Sequence, residues 1–246
     1  MEIKKSIENK KTPRIVFYGV AGIGKTTFAS QFKNPIFLAC EDGFGNLDVN
    51  YIEIKNFEKF VEALEFLKDK EFNTIVIDTL DALERLIFAH ICKENKISSI
   101  EDMGFGKGYA VALNIWRNLL NLLDVYRQRN INIILLAHAA IKPHRSPDSD
   151  TYDRYRLDLN EKTASLIKEW ADTVLFANYE VITSKEKGFG NGNRFLYTEE
   201  RPAHWGKNRY GLPYKIEFSG CEQGFANFKS LMTASYQQKN EEKNNA

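Results

Sequence analysis

The feature that most constrains this chain is the segment GVAGIGKT at residues 19–26. It fills all four fixed positions of the phosphate-binding pattern G-x-x-x-x-G-K-[ST], which sits between a strand and a helix. Residues 14–18, RIVFY, favour a buried strand, and KTTFASQF from Lys25 onward favours a helix. A chance glycine-rich turn is the alternative, but it does not require this context. The segment therefore predicts a phosphate-binding loop in an α/β fold.

The residue types in this loop have physical reasons. Glycines let the backbone bend so that successive N–H groups point into one concavity, and the helix N-terminus adds partial positive charge. Lys25 is expected to reach the β- and γ-phosphates of ATP, and the Thr26 hydroxyl to bind Mg²⁺. The predicted nucleotide-binding residues are Gly19, Val20, Ala21, Gly22, Ile23, Gly24, Lys25, Thr26 and Thr27.

Composition narrows the remaining choices. A length of 246 residues suits one α/β domain, and a net charge of +1 means that any nucleic-acid surface must be a local patch. The three cysteines are far apart and lack metal-ligand spacing, which favours a reducing cytoplasm. No apolar run matches a bilayer span, and the lysine-rich N-terminus lacks a signal-peptide core. We therefore expect a cytoplasmic protein with no membrane partner.

Two further apolar segments end in carboxylates. The segment 35–40 precedes Glu41, and NTIVID at 73–78 ends in Asp78. Ligands in open parallel sheets bind beyond the carboxyl ends of the strands. Glu41 is therefore predicted to orient or deprotonate the attacking water, with a turn or helix-cap carboxylate as the alternative. Asp78 is predicted to complement Thr26 at Mg²⁺.

A near-continuous apolar segment, INIILLA at 131–137, is typical of a central parallel strand. His138 follows it directly. A lone histidine is often structural, but one at this strand end is placed to sense the γ-phosphate and relay its presence to the next loop. Both interpretations of His138 stay open at this point.

Two segments predict loops that contact nucleic acid. Residues 96–108 are glycine-rich, and residues 141–155 combine prolines, serines and mixed charge, which predicts a mobile loop. Basic and aromatic side chains on such a loop suit single-stranded DNA, although three aspartates favour a simple solvated loop instead. The candidate DNA-binding residues are Lys107, Lys142, Arg145, Tyr152, Arg154, Tyr155 and Arg156.

The C-terminal third predicts a change from parallel to antiparallel structure. A helix at 159–172 with Asn160 as a possible cap is followed by a strand at 173–183 and a glycine-rich hairpin turn at 188–193. A returning strand at 194–198 would then form an antiparallel edge.

A basic pair follows this edge. Lys207 and Arg209 are two residues apart, so they share one face of an extended segment. Lying beyond the last strands, they are better placed to reach a neighbouring subunit's phosphate loop than their own. The chain then divides into a flexible arm (1–13), an ATPase core (14–220) and a polar, partly disordered tail (221–246).

Assembled in order, these motifs resemble the RecA-like P-loop ATPases. Within that group the chain looks most like the compact, phage-encoded Sak-type proteins of recombination and single-strand annealing. The resemblance implies a mainly parallel central sheet flanked by helices, with an antiparallel C-terminal edge. It also implies that Glu41 activates water, that Asp78 associates with Mg²⁺ and that His138 replaces a phosphate-sensing glutamine.

The resemblance extends to partners. It implies that the segments 96–108 and 141–155 contact single-stranded DNA and that Lys207 and Arg209 act as basic fingers in a neighbour's ATP site. The expected assembly is a homo-oligomeric filament or ring with ATP at the subunit interface, and a single-strand-binding protein is a candidate partner. The flanking domains of RecA have no room here, which favours annealing over independent strand exchange. A helicase or helicase-loading motor, and a nucleotide-gated protein-interaction module without DNA binding, remain as alternatives.

Overall fold

The computed structural model describes residues 12–184, 187–218 and 220–244. The helices are α1 (Lys25–Ser30), α2 (Phe57–Leu67), α3 (Leu80–Asn95), α4 (Lys107–Gln128), α5 (Glu161–Trp170) and α6 (Cys221–Asn244), with a 3₁₀ turn at Ile100–Met103. The strands are β1 (Arg14–Gly19), β2 (Pro35–Ala39), β3 (Asn50–Glu53), β4 (Thr74–Asp78), β5 (Asn132–Ser146), β6 (Ser149–Leu157), β7 (Thr173–Ser184), β8 (Lys187–Tyr197), β9 (Lys207–Asn208) and β10 (Lys215–Glu217).

Within the described residues these strands form one sheet with the order β10-β8-β7-β1-β5-β4-β2-β3. The pairs from β7 to β3 along this order are parallel, whereas β8 and β10 form an antiparallel edge. Strand β6 pairs with β5, and β9 pairs with β7. The predicted fold class, a mainly parallel sheet flanked by helices with an antiparallel C-terminal edge, is confirmed.

The sheet separates two apolar layers. Side chains alternate across a strand, so Val16 and Tyr18 of β1 pack in one layer and Ile15 and Phe17 in the other. The first layer is covered mainly by α3 and α4, with Trp116 fully buried. The second is covered by α1 and α6. Both faces of β1 are therefore buried, which explains its unbroken apolar sequence.

Strand register places the predicted site residues at one edge. Gly19 pairs with His138 of β5 on one side and with Ala177 of β7 on the other. Asp78 pairs with Ala39, so Cys40 and Glu41 leave β2 at the same edge. The carboxyl ends of β1, β2 and β4 thus meet where the phosphate loop leaves β1. The prediction that a strand ends directly before His138 is wrong, because β5 continues to Ser146, but its parallel pairing with β1 ends at His138.

The prediction of a mobile loop at 141–155 is wrong. Here β5 and β6 form an antiparallel hairpin in which Ile141 pairs with Tyr155 and His144 with Tyr152. The two prolines misled the interpretation. Pro143 is tolerated inside β5 because this outer part of the strand pairs only with β6, which leaves its other side without ladder hydrogen bonds.

The predicted polar tail from residue 221 is also wrong over its first half. Helix α6 packs against α1, and Phe228 and Met232 are buried beside Phe28. With Phe225 they follow a spacing of three and four residues, which is the apolar stripe of an amphipathic helix.

Three smaller predictions need comment. The loop predicted at 96–108 contains the 3₁₀ turn and the first residues of α4. The turn predicted at 188–193 lies inside β8, where Gly190 pairs with Val181. Residues 1–11 of the predicted arm lie outside the described residues, and Thr12 donates a hydrogen bond to the Ile131 carbonyl. Across the described chain, no helix is both long and apolar enough to cross a membrane.

Candidate active site

The phosphate loop requires its glycines for steric reasons. A Cβ on Gly19 would lie 2.4 Å from the Ala177 carbonyl oxygen of β7. Gly22 and Gly24 have φ values of 70° and 104°, in the left-handed region that favours glycine. Between them, the Ile23 side chain is fully buried and anchors the loop to the apolar layer. The sequence therefore builds a fixed loop directly before the N-terminus of α1.

Lys25 is enclosed by this loop. Its side chain is buried, and Nζ donates to the carbonyl oxygens of Gly19 and Val20 at 3.3 and 3.2 Å. Burial lowers the pKa of Lys25, and the nearby charge of Asp78 opposes that shift. Carbonyl oxygens compensate a buried ammonium group only in part, so phosphate oxygens would be stronger partners for it.

Thr26 and Asp78 are brought together as predicted from their motifs. The Thr26 hydroxyl donates to Asp78 Oδ2 at 2.8 Å, although the two residues are 52 positions apart. Burial raises the pKa of Asp78 to about 6, and the Thr26 hydrogen bond acts in the opposite direction. A hydroxyl and a carboxylate oxygen in contact are hard oxygen ligands, so the pair fits Mg²⁺.

Glu41 and His138 line the same cavity, and a residue that sequence reasoning missed joins them. Asp81 accepts the His138 backbone N–H at 3.0 Å, and its other carboxylate oxygen lies 3.1 Å from His138 Nδ1. One polar side-chain atom from each of Glu41, Asp81 and His138 lies within 4.8 Å of the others. The three groups therefore form one cluster beside the phosphate loop.

The Asp81–His138 pair fixes the ring. Their hydrogen bond raises the pKa of His138, while burial acts in the other direction. Burial also acts to raise the pKa of Asp81, but the hydrogen bonds from His138 outweigh it and hold that pKa at about 2. An ionised Asp81 accepts a hydrogen bond from Nδ1–H, so Nε2 is the nitrogen left for a ligand.

A sequence signal for Asp81 existed. It lies three residues after Asp78, in the first turn of α3, where an acidic residue also complements the helix dipole. That second explanation made it look structural, and only the pairing with His138 distinguishes the two roles.

Together these groups enclose a cavity of about 370 Å³ at the carboxyl edge of the sheet. It combines the phosphate loop, the Thr26–Asp78 pair, a carboxylate and an imidazole. Such a set can bind a phosphorylated nucleotide and place a base near its terminal phosphate. The lining residues are Gly22, Gly24, Lys25, Thr26, Thr27, Glu41, Gly43, Phe44, Leu47, Asp78 and His138.

Lys207 and Arg209 lie at the opposite end of the parallel strands, beside the start of β7, where the amino ends of the strands meet; we call this the amino edge. Lys207 pairs with Val174 of β7. On its other side Val174 pairs with Val16 of β1, which lies three residues before Gly19. Lys207 Nζ donates to the carbonyls of Lys168 and Glu169 at the end of α5. Arg209 Nη1 lies 3.2 Å from Asp172 Oδ1. Neither side chain lies in its own chain's cavity.

Asp172 is the centre of this opposite edge. Its carboxylate also binds the guanidinium groups of Arg14 and Arg127, each at 2.9 Å. Burial acts to raise the pKa of Asp172, but the hydrogen bonds and charge of Arg14 and the charge of Arg127 outweigh it and lower that pKa.

The predicted DNA-binding residues are divided among different environments. Arg154 is only 6% exposed and pairs with Glu200 at 2.6 Å, so its guanidinium is not presented for the predicted DNA contact. Lys142 Nζ donates to the Leu159 carbonyl at 2.8 Å. Arg156 pairs with Glu161, and its guanidinium stacks over Trp205. These three basic groups therefore help to attach the β5–β6 hairpin to the rest of the domain.

Two of the remaining four candidates are more accessible. Arg145 is exposed near the tip of the hairpin, and Lys107 is exposed on the first turn of α4. Tyr152 packs edge-on to His144, whereas the Tyr155 ring lies 5.0 Å from Phe176. The structure therefore does not bring the seven candidates together on one surface.

Comparison with known protein families assigns this chain to one of them. Residues 11–210, most of its length, match the model of the AAA_24 family, which is described as an AAA domain. The chain belongs to this family. The AAA_24 assignment agrees with the phosphate loop, the Thr26–Asp78 pair and the parallel sheet, and it makes this an AAA-type P-loop ATPase domain.

Two individual proteins are similar to this AAA_24 member. The SPbeta prophage-derived uncharacterized protein YorG of Bacillus subtilis (strain 168) is 27% identical over 147 residues. That match covers 56% of this chain and 43% of YorG, so the chain spans less than half of that relative. The flagellar accessory protein FlaH from Methanocaldococcus jannaschii has a TM-score of 0.42 at 11% identity, over 84% of this chain and 86% of its own. A similarity of that size supports no functional inference.

Proposed function

We propose that this domain hydrolyses ATP with Mg²⁺ and assembles on single-stranded DNA for phage-type homologous recombination or strand annealing, as the Sak-type resemblance implies. The observation that carries the hydrolytic part is the convergence of Lys25, the Thr26–Asp78 pair, Glu41 and His138 on one cavity. The prophage origin of the similar YorG protein supports a phage context.

The residues of the chain divide the work. Lys25 exchanges its carbonyl partners for β- and γ-phosphate oxygens, and Thr26 and Asp78 hold the metal. Mg²⁺, when bound, neutralises charge that develops on the phosphates. Glu41 orients the attacking water and accepts its proton. His138, held through Nδ1 by Asp81, presents Nε2 to the γ-phosphate.

Assembly would complete the site. Apart from Lys25 and His138, the described residues that line the cavity include no basic side chain. Phosphoryl transfer commonly uses a further cation, which a neighbouring subunit can supply in trans. Arg209 is suited to this because its side chain is 55% exposed and Asp172 keeps Arg14 and Arg127 if Arg209 moves away. Lys207 would accompany it, since both lie on the same segment.

The testing experiment is ATP hydrolysis with and without oligo(dT), over a range of protein concentrations and at two salt concentrations. Assembly-coupled catalysis predicts turnover that rises with both DNA and protein concentration. Turnover that is indifferent to both would reject assembly on DNA and leave a self-contained nucleotide switch.

A second candidate is a nucleotide-gated protein-interaction module that does not bind DNA. It is favoured by the internal pairing of Lys142, Arg154 and Arg156, which reduces the charge that the hairpin offers to a phosphate backbone. Binding to single-stranded DNA that weakens steeply with salt would reject this candidate, because phosphate contacts release counterions. ATP-dependent unwinding of a forked duplex would instead support the helicase alternative.

A further inference from the structure

The outer side of the phosphate loop contacts the β7–β8 hairpin. Strand β7 continues past Ala177, which pairs with Gly19, and so runs alongside the loop. Tyr179 of β7 and Arg194 of β8 are directly opposite each other in the antiparallel pair. Arg194 Nη1 donates to the Ile23 carbonyl at 3.2 Å, between the two left-handed glycines.

This contact acts on a particular peptide group. In a trans peptide the C=O and N–H of one plane point in opposite directions, so a donor on the Ile23 oxygen fixes the direction of the Gly24 N–H. Gly24 lines the cavity, whereas Arg194 is not among the lining residues. The guanidinium therefore contacts the carbonyl side of this peptide, opposite to the Gly24 N–H, and a donor on the carbonyl polarises that N–H.

The buried Ile23 side chain and the hydrogen bond from the Phe28 N–H to the Gly24 carbonyl anchor the neighbouring atoms, but few other hydrogen bonds orient the Ile23–Gly24 peptide group itself. Inside the loop, the Ile23 N–H bonds to the Val20 carbonyl at 3.4 Å, which is long. The Lys25 bonds to Gly19 and Val20 are the ones that a phosphate would replace. The contact with Arg194 can persist when a nucleotide is bound, because it lies on the other face of the peptide.

Tyr179 supports the arginine. Its ring lies under the Arg194 guanidinium at 5.5 Å, and its hydroxyl is 3.5 Å from the Gly22 carbonyl, at the outer limit of a hydrogen bond. The arginine contact is the shorter of the two, so it should carry most of the effect.

We infer that Arg194 is a positioning residue for phosphate binding, which aims the Gly24 N–H into the cavity through its bond to the Ile23 carbonyl. The inference rests on nucleotide binding by the phosphate loop, which is part of the proposed function, and it does not depend on DNA. Because the effect acts on a phosphate-binding N–H, it should grow with the phosphates that the ligand presents.

The test is a titration with the fluorescent nucleotide mant-ADP in the presence of Mg²⁺, with ADP and AMP as competitors. Arg194→Ala should weaken ADP binding about tenfold and leave AMP affinity unchanged, since the Gly24 N–H would no longer be held toward the β-phosphate and its hydrogen bond to that charged group would be weakened. Arg194→Lys should recover part of the loss, because an ammonium group can also donate to the carbonyl. Lys215→Ala is the matched control. Lys215, in β10, pairs with Glu180 of the β7–β8 hairpin, and it makes no contact with the phosphate loop among the described residues.

Two results would overturn the inference: ADP affinity unchanged in Arg194→Ala, or equal losses for ADP and AMP, which indicate general damage to the fold. If Arg194→Ala does not fold, Arg194→Met keeps an unbranched side chain without an N–H donor, and unchanged ADP affinity in that variant would overturn the inference equally. Wild-type protein that fails to bind mant-ADP would instead reject the nucleotide-binding part of the proposed function.

Discussion

The two edges of the parallel sheet use buried charge in opposite ways. At the carboxyl edge, Lys25 bonds to backbone carbonyls and Asp78 to a hydroxyl, and burial shifts the pKa of each toward its neutral form. At the amino edge, Asp172 is surrounded by three arginines and its pKa is lowered. The first edge holds charges that a ligand would compensate, and the second holds charges that the fold already compensates.

The largest expected effect is at Arg209. This residue pairs with Asp172 at the amino edge of its own chain, and we propose that it acts at the carboxyl edge of a neighbouring subunit. Arg209→Ala should reduce DNA-stimulated turnover by on the order of 10³-fold, as for the loss of an arginine finger, while nucleotide binding is kept. The free energy of unfolding should change little, since Arg14 and Arg127 still hold Asp172. Steady-state hydrolysis with oligo(dT) and thermal unfolding measure the two quantities.

Arg201→Ala is the control for Arg209, because Arg201 is a half-exposed arginine in the same region that pairs with Glu199. Normal DNA-stimulated turnover in Arg209→Ala would reject the finger role. A large loss of stability would show that Arg209 belongs only to the amino edge.

Asp172 should show the next largest effect, on stability alone. Asp172→Asn leaves the partly buried guanidinium groups of Arg14 and Arg127 beside a neutral amide, with Asp124 still 3.5 Å from Arg14, which should cost about 3 kcal/mol of unfolding free energy. Urea denaturation measures this change. Asp150→Asn, an exposed position near the hairpin tip, removes the same charge as a control. A cost below that of the control variant would mean that the arginines do not depend on this carboxylate.

Lys25 should show the opposite pattern from Asp172, with a large effect on ATP hydrolysis and a small effect on stability. Lys25→Ala should reduce ATP hydrolysis about 10²–10³-fold by removing a preorganised cation, and it should abolish tight ATP binding. Stability should fall by no more than about 1 kcal/mol, because the buried ammonium is only partly compensated in the free protein. Unchanged ATP affinity would contradict the phosphate-loop assignment, and Lys33→Ala, an exposed lysine just after α1, is the control.

The carboxyl edge was largely predictable because its signals are local. The apolar segments that precede Glu41, Asp78 and His138 could be recognised one at a time, and parallel strand pairing brings these positions together, although β5 continues past His138. Asp81 was missed because an acidic residue in the first turn of a helix has a sufficient structural explanation. Its role depends on His138, 57 residues later in the chain.

The remaining features depend on pairings that no local pattern specifies. The β5–β6 hairpin contains two prolines and mixed charges, so composition predicted a loop where strand pairing prevailed. Arg194 was predicted only as the first residue of the returning strand, and its contact with Ile23 spans 171 positions. The amino-edge cluster joins Arg14, Arg127 and Asp172 from three distant segments.

The smallest expected effect is the loss of the Asp172 contribution to stability at acidic pH. Asp172 has a pKa that is lower in the folded chain than in the unfolded one, so its stabilisation is fully present above the unfolded value of about 3.9. That contribution is lost as the pH falls through the folded pKa. The stability difference between wild type and Asp172→Asn should therefore be constant from pH 7 to about pH 5 and shrink below about pH 4. Urea midpoints measured for both proteins at several pH values test this directly. A difference that persists unchanged at pH 3 would mean that the three arginines stabilise the edge by packing, with little dependence on the carboxylate charge.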